Sequence, residues 1–182
     1  YNMVIEEVDP SSGRHEITLS NSSFNPFPFD ESFHTEIVDK FEDGEEHFKE
    51  IVQSIDTVLD DWPERPNIGD VKKRYETVSK CNLFFHKDFD QAIGWGWFST
   101  VFTYDWVNES NPLPTDNSVY WGGTYIRKEL GIPKTTGLQM YNHGFRKFLS
   151  LYETMYGYTD DWNKAPIKIC DKLGCIPFKF IK

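Results

Sequence analysis

The sequence predicts an α/β (α+β) protein with a mixed, mostly antiparallel central sheet flanked by helices. Three observations carry that prediction. Runs rich in aromatic and β-branched residues stand side by side across short polar links, the pattern of an antiparallel meander. Two long stretches repeat apolar residues at three- and four-residue steps, the stripe of an amphipathic helix. In the last third of the chain strand and helix patterns alternate, as in a layered fold.

In order, Met3–Val8 and Glu16–Leu19 read as the strands of a hairpin around the turn composition Asp9-Pro10-Ser11-Ser12-Gly13. Residues 21–30 carry Phe24, Phe27, Phe29, Pro26 and Pro28, and read as an extended loop whose rings plug the core. From Phe33 to Trp62 the stripe Ile37, Phe41, Phe48, Ile51, Val52, Ile55, Val58, Leu59, Trp62 predicts helix, with Gly44 a candidate break and Pro63 a stop. Asp70 is the expected cap of a short helix over Val71–Val78.

Cys81–Phe85, Ala92–Phe98 (extending toward Tyr104 and Trp106) and Val119–Ile126 read as three strands, with 108–118 as a loop. Leu138, Tyr141, Phe145, Phe148, Leu149 and Tyr152 make the second stripe. Gly144 inside it costs about 1 kcal/mol relative to Ala, so close packing against the sheet is expected there. Met155–Tyr158 reads as strand, Lys164–Leu173 as a helix ended by Gly174, and Ile176–Ile181 as a strand that Pro177 places at an edge.

At 182 residues the chain is long enough for one domain with a proper core. Residues 1–80 would supply N-terminal strands and helices, and 81–182 the remaining core. The formal charge of −10 disfavours nucleic acid as a partner. Three cysteines without C-x-x-C spacing suggest neither disulfide framework nor zinc site, and fit a reducing cytoplasmic setting. No apolar run approaches the ~20 residues of a membrane span, so no membrane partner is expected. His15, His47 and His143 lack ligand-like spacing, and no metal is expected.

The stretch with most chemical content runs from Val119 to Tyr152. A strand feeds Gly131-Ile132-Pro133-Lys134-Thr135-Thr136-Gly137, and a helix follows. A strand, a glycine loop and a helix N-terminus together bring backbone N–H groups to a phosphate. On residues alone this is an anion site of unspecified kind.

Lys134-Thr135-Thr136-Gly137-Leu138-Gln139 resembles the Gln/Arg-x-x-Gly-x-Gly/Ala loop of the Gcn5-related N-acetyltransferase family, with Gln139 where a small residue is usual. Asn163, Lys172-Leu173 and Gly174 fall at the spacing of that family's second motif, with Pro166, Cys170 and Cys175 replacing its Ala, Tyr and Phe. Gln91-Ala92-Ile93-Gly94 looks like its Ile-Gly strand. The resemblance covers residues 80–181.

What it implies is an acyl-CoA N-acyltransferase-like fold that uses acetyl-CoA as co-substrate and moves acetyl to a primary amine by direct attack. Lys134, Thr135, Thr136, Gly137, Leu138 and Gln139 would cradle the pyrophosphate, and Asn163 would hold the cofactor arm. The backbone of Tyr125, Ile126 and Arg127 would polarise the thioester. Cys170, in the place of the family's tyrosine, would protonate the leaving thiolate. Glu129 is the candidate base, with Asp105 and His86 as alternatives.

Trp95, Trp97, Trp121 and Tyr125 alternate along strands, so half would line an acceptor cleft. The acceptor would be a small-molecule or protein amine, its cationic form suited by the acidic chain, and a homodimer is allowed for. The family also has a further strand beyond the one after Gly174. An N-terminal strand, a partner chain or nothing would fill that edge. The alternative is a catalytically silent binding or assembly module on the same fold.

Overall fold

A computed structural model gives the architecture and describes residues 14–58, 67–76, 78–103, 110–160 and 163–178. The strands are β1 (Arg14–Ser20), β2 (Phe33–Val38), β3 (Lys80–His86), β4 (Gly94–Ser99), β5 (Val101–Thr103), β6 (Ser110–Pro112), β7 (Ser118–Ile126), β8 (Thr154–Asp160) and β9 (Ile176–Pro177). The helices are α1 (Phe41–Val58), α2 (Ile68–Glu76), α3 (Thr136–Leu151) and α4 (Lys164–Lys172), with a 3-10 turn at Lys128–Leu130.

Among the described residues a seven-stranded sheet runs in the order β2-β3-β4-β7-β8-β1-β9, and β5 and β6 form a separate ribbon. Its neighbours are antiparallel except β7 and β8, which run parallel. The predicted fold class therefore holds.

Strand alternation sends successive side chains to opposite faces, and each face has its own helices. On one, Leu83, Phe85, Trp95 and Trp97 pack with Phe48, Ile51 and Ile55 of α1 and Val71 of α2. On the other, Phe84, Phe98, Val119 and Trp121 pack with Tyr141, Phe145 and Phe148 of α3 and with Cys170 and Leu173 beside it. Burying each such side chain contributes about 1.5–3 kcal/mol.

Several expectations change. Phe33–Val38 is a strand rather than the start of the helix, paired from Phe33↔His86 to Val38↔Cys81. Ile37 fits the helical stripe, but the run is also β-branched, and pairing against β3 outweighs the local pattern. Gly44 does not break α1; a Cβ there would lie 2.6 Å from the Phe48 ring, so the helix passes through at a close contact. Asp70 is not the cap. Its carboxylate accepts from the Asn67 N–H (2.9 Å) while Asn67 Oδ1 accepts from the Asp70 N–H (3.0 Å), a capping box that starts α2 three residues early.

The loop over 108–118 contains β6. Gly144 is not tightly packed, since a Cβ there would meet nothing nearer than 3.9 Å. Met3–Val8, Tyr104, Asp105, Trp106 and Trp62 lie outside the described residues.

The edge expected after Gly174 is filled by the N-terminal strand. β1 lies between β8 and β9 and pairs with β8 along its whole length, from Arg14↔Asp160 to Ser20↔Thr154. β2 stands at the opposite edge, so residues 21–32 must cross the α3–α4 face, and their backbone groups need partners there. Asn25 donates to the Leu173 carbonyl (2.8 Å) at the end of α4. Asn142 of α3 accepts from the Phe27 N–H (2.9 Å) and donates to its carbonyl (3.0 Å). Gln139 does the same with Asp30 N–H (3.3 Å) and Pro28 O (3.0 Å), and His143 Nε2 meets Asp30 O at 3.0 Å. This strap links β1, next to one edge of the sheet, to β2 at the other.

Candidate functional site: the splay between β7 and β8

β7 and β8 pair only from Ser118↔Thr154 to Trp121↔Gly157. Beyond that point β7 runs on to Ile126 along β4, and β8 runs on to Asp160 along β1. The sheet thus opens into a wedge in the middle, with unpaired backbone on its β7 rim.

Where the wedge opens, the β4–β7 register shifts between Trp95↔Tyr125 and Trp97↔Gly122, a bulge that places Gly123 and Thr124 opposite Gly96. Gly123 has φ +64°, which suits glycine, and a Cβ there would lie 2.9 Å from Arg74 of α2. The Arg74 guanidinium sits 5.0 Å over the Trp97 ring. Gly94 fits the Tyr125 carbonyl at a backbone approach that a Cβ would close to 2.5 Å. Beyond the bulge, the Arg127 N–H donates to Ile93 O (2.8 Å), so it is spent on the β4 side. Backbone alternation turns the Ile126 amide the other way, into the wedge.

The N-terminus of α3 closes one end. Thr135 is the N-cap, and it makes no side-chain cap hydrogen bond. The Thr136 N–H donates to Pro133 O (3.1 Å), and the N–H groups of Gly137 and Leu138 are left for solvent or an anion. Lys134 and Thr135 are exposed, and Leu138 and Gly137 are half-buried. A Cβ on Gly137 would meet Ile169 of α4 at 3.4 Å and Ile126 at 3.7 Å, so α3, α4 and β7 converge on this glycine.

Two members of the predicted cradle are committed elsewhere. The Thr136 hydroxyl donates to Pro133 O (2.7 Å), and Gln139 is bound to the strap. Asn163 occupies the N-cap position of α4 without a side-chain cap bond.

On the α1 side the predicted base is part of a network. Glu129 accepts from Ser54 of α1 and from Arg127 Nε (2.8 Å); Arg127 Nη1 reaches Gln91 (2.9 Å) and lies 3.8 Å from Glu50. Burial pushes the Glu129 carboxyl up, but the Ser54 and Arg127 hydrogen bonds outweigh it, and its pKa falls below the ordinary value. The Tyr125 hydroxyl lies 3.3 Å from Ser54 Oγ, and burial raises its pKa. Trp95, Trp97 and Tyr125 share the α1–α2 face, while Trp121 alone of the four faces α3.

Cys170 is buried on α4, where contact with Cys175 and burial push its thiol well up, so it holds its proton. His86 ends β3 buried, with Nδ1 accepting from the Asp88 N–H (3.1 Å) and its ring against Phe33. It belongs to the strap side of the sheet rather than the wedge.

Gly94 and Gly96 mark this stretch in the sequence for a bulge or a close backbone approach; the bulged Gly123 opposite Gly96 and the Ser54 contact were missed. The Gly122-Gly123 pair inside a strand pattern is the signal that marks the first. Nothing in the sequence pairs Ser54 with Glu129, seventy-five residues away. Among the described residues, no group of three His, Cys, Asp or Glu could hold a metal ion, and no helix is long and apolar enough to cross a membrane.

No protein-family model and no curated protein matches the sequence. Solved structures do match. A GCN5-related N-acetyltransferase from Sphaerobacter thermophilus is similar with a TM-score of 0.60 at 9% identity, over 93% of this chain and 50% of that one. One from Kribbella flavida gives 0.53 at 11%, over 91% and 55%. A candidate acetyltransferase from Salmonella typhimurium, solved with its cofactor acetyl-CoA, gives 0.54 at 11%, over 83% and 88%. The chain spans about half the length of the first of these structures it matches, 47–58%. At such identities the likeness is one of fold: a mixed sheet flanked by helices, the architecture of the acyl-CoA acyltransferases.

Proposed function

We propose that the protein is an acyl-CoA-dependent N-acyltransferase that moves an acyl group, acetyl foremost, from its coenzyme A thioester to a primary amine. One observation carries this reading: the parallel pair β7–β8 parts at Trp121 and Gly157, and the open end of β7 at Ile126 meets the N-terminus of α3, where the Gly137 and Leu138 N–H groups are uncapped. An extended arm bearing amides can pair with the free rim of β7 while its pyrophosphate meets the α3 N-terminus and Lys134. The half-buried Ile126, Leu138 and Ile169 offer that arm an apolar lining.

Thr135, Gly137, Leu138 and Asn163 remain the residues for holding the substrate. The Ile126 amide and the bulge beside Gly123 are the groups for its carbonyl, in place of Arg127. Glu129, held as a carboxylate at the α1 edge, is the group available to take a proton from the amine, aided by Tyr125 and Ser54.

A second reading, a silent binding module on this fold, is favoured by one observation. Thr136, Gln139 and the Arg127 amide all use their hydrogen bonds internally.

Thermal melting with acetyl-CoA followed by assay against an amine panel separates the two. The enzyme reading expects a rise of about 5–10 °C at 100-fold excess over Kd together with acyl transfer to at least one amine. A rise without transfer supports the silent module, and no rise removes the enzyme reading.

A further inference from the structure

Tyr141 reaches from α3 to the α3–α4 side of the wedge. Its ring is buried edge-to-face against Trp121 (4.8 Å) and Phe145 (5.7 Å), and its hydroxyl has Thr124, Cys170 and Cys175 as neighbours. Thr124 directly follows the bulge glycine Gly123, so this phenol lies beside the point where the sheet opens.

Two further polar atoms collect there. Thr124 Oγ1 and Asn82 Oδ1 are buried with no hydrogen-bond partner of good geometry, and Asn82 is only 6% exposed. Both residues border, with Tyr141, Gly96 and Gly144, one cavity of about 10 Å³. That is room for a single water, and the three residues offer the two to four polar partners it needs. A hydroxyl, a threonine and an amide oxygen around one water form a short proton path in an otherwise aromatic wall.

We propose that Tyr141, supplied by α3, is the group that protonates the departing thiolate, with Thr124 and a buried water held by Asn82 returning its proton. The proposal rests on the acyltransferase reading. The amine nitrogen attacks the thioester carbonyl carbon, the N–C bond forms, and the C–S bond breaks with its electron pair going to sulfur. The Tyr141 proton moves to that sulfur and gives the free thiol. The amine nitrogen gives its proton to Glu129 and so to solvent, and a proton from solvent restores the phenol through the water and the Thr124 hydroxyl.

Burial and the neighbouring thiols raise the Tyr141 pKa, so the phenol carries its proton in the resting protein. Cys170, which the sequence resemblance puts in this role, has its thiol engaged with Cys175 instead. Thr124 and Tyr141 are then more than core packing.

Tyr141→Phe tests this in the full chain. Circular dichroism and melting establish folding, and the melting shift by coenzyme A establishes binding. The variant is expected to keep KM for acetyl-CoA within about threefold and to lose about 100-fold in kcat. With an acetyl thioester of nitrothiophenol, whose thiolate leaves unprotonated, the loss shrinks below about fivefold. Independently of turnover, the parent binds coenzyme A about threefold tighter than its desulfo analogue, and Tyr141→Phe binds the two alike.

If coenzyme A binds and Tyr141→Phe turns over like the parent, or loses equally with both thioesters, the proposal is overturned while the acyltransferase reading stands. If the parent binds no coenzyme A, or binds it and acylates no amine, both fall. Should Tyr141→Phe not fold, Thr124→Val takes its place. A loss of at least about fivefold that the aryl thioester relieves supports the relay, and an unchanged rate sinks it.

Discussion

The two halves of β7 are built for opposite purposes. From Ser118 to Trp121 the strand pairs with β8, and from Tyr120 with β4 as well, and Val119, Tyr120 and Trp121 are buried on its two faces. From Gly122 to Ile126 it keeps one partner, carries a bulge, and shows half-buried side chains. The first half contributes stability. The second gives up pairing on one side and leaves backbone polar groups free, which is tolerable only at a surface that water or a ligand reaches. The helices repeat the division, since α3 buries its middle in the core and leaves its N-terminus uncapped at the open half.

The sharpest way to break this comparison is to damage each half and read stability and binding separately. Trp121→Ala, in the closed half, is expected to cost about 3–5 kcal/mol in denaturant unfolding, with or without acetyl-CoA. Gly157→Val, opposite it on β8, would bring a Cβ within 3.0 Å of the Trp121 carbonyl and cost about 1–3 kcal/mol.

Gly137→Asp, in the open half, has the reverse signature. An acid in the first turn of α3 suits the helix dipole, so stability shifts by less than about 1 kcal/mol. The negative charge opposes a phosphate, and stabilisation by acetyl-CoA should disappear from the melting curve. Equal stabilisation of parent and variant would remove the α3 N-terminus from the site.

A smaller effect concerns pH. Burial lowers the His143 pKa from its ordinary 6.5, against the opposing pull of the Asp30 carbonyl and carboxylate, with Arg146 and His34 adding to the fall. The unfolded imidazole takes up a proton more readily than the folded one. His143 therefore contributes stability that is present above about pH 6.5 and is lost as pH falls through and below it. His143→Gln should flatten the melting temperature between pH 7.5 and 5.5. An unchanged slope would assign the acid limb to carboxylates. Smallest of all, Gly144→Ala should raise stability by about 0.5–1 kcal/mol, because nothing lies within 3.9 Å of the added Cβ.

Much of the fold could be read from the residues because its signals are local. The stripe of α3 and the β-branched run of β7 announce themselves within ten residues. β2 could not be read so, because Ile37 satisfies a helical stripe and its strand state depends on pairing with Asn82, forty-five residues on. The place of β1 between β8 and β9 was one of three outcomes the sequence left open, since no local pattern says which edge a strand will join. At the candidate site, the loop and helix start around Lys134 and Gly137 were legible from a composition that any anion site shares. The jobs of Gln139, on the strap, and of Glu129, on Ser54, come from tertiary partners. Gln139 in particular stood in a motif position while serving a segment more than a hundred residues away.

The central claim is that an acyl-CoA lies in the open half of β7, and amide chemical shifts test it most directly. On titration with acetyl-CoA, the signals of Ile126, Gly137, Leu138 and Asn163 should move in a saturable way. Those of Val119 and Ile51, in the closed half and under α1, should stay. Saturable shifts elsewhere, or none at millimolar acetyl-CoA, would contradict it.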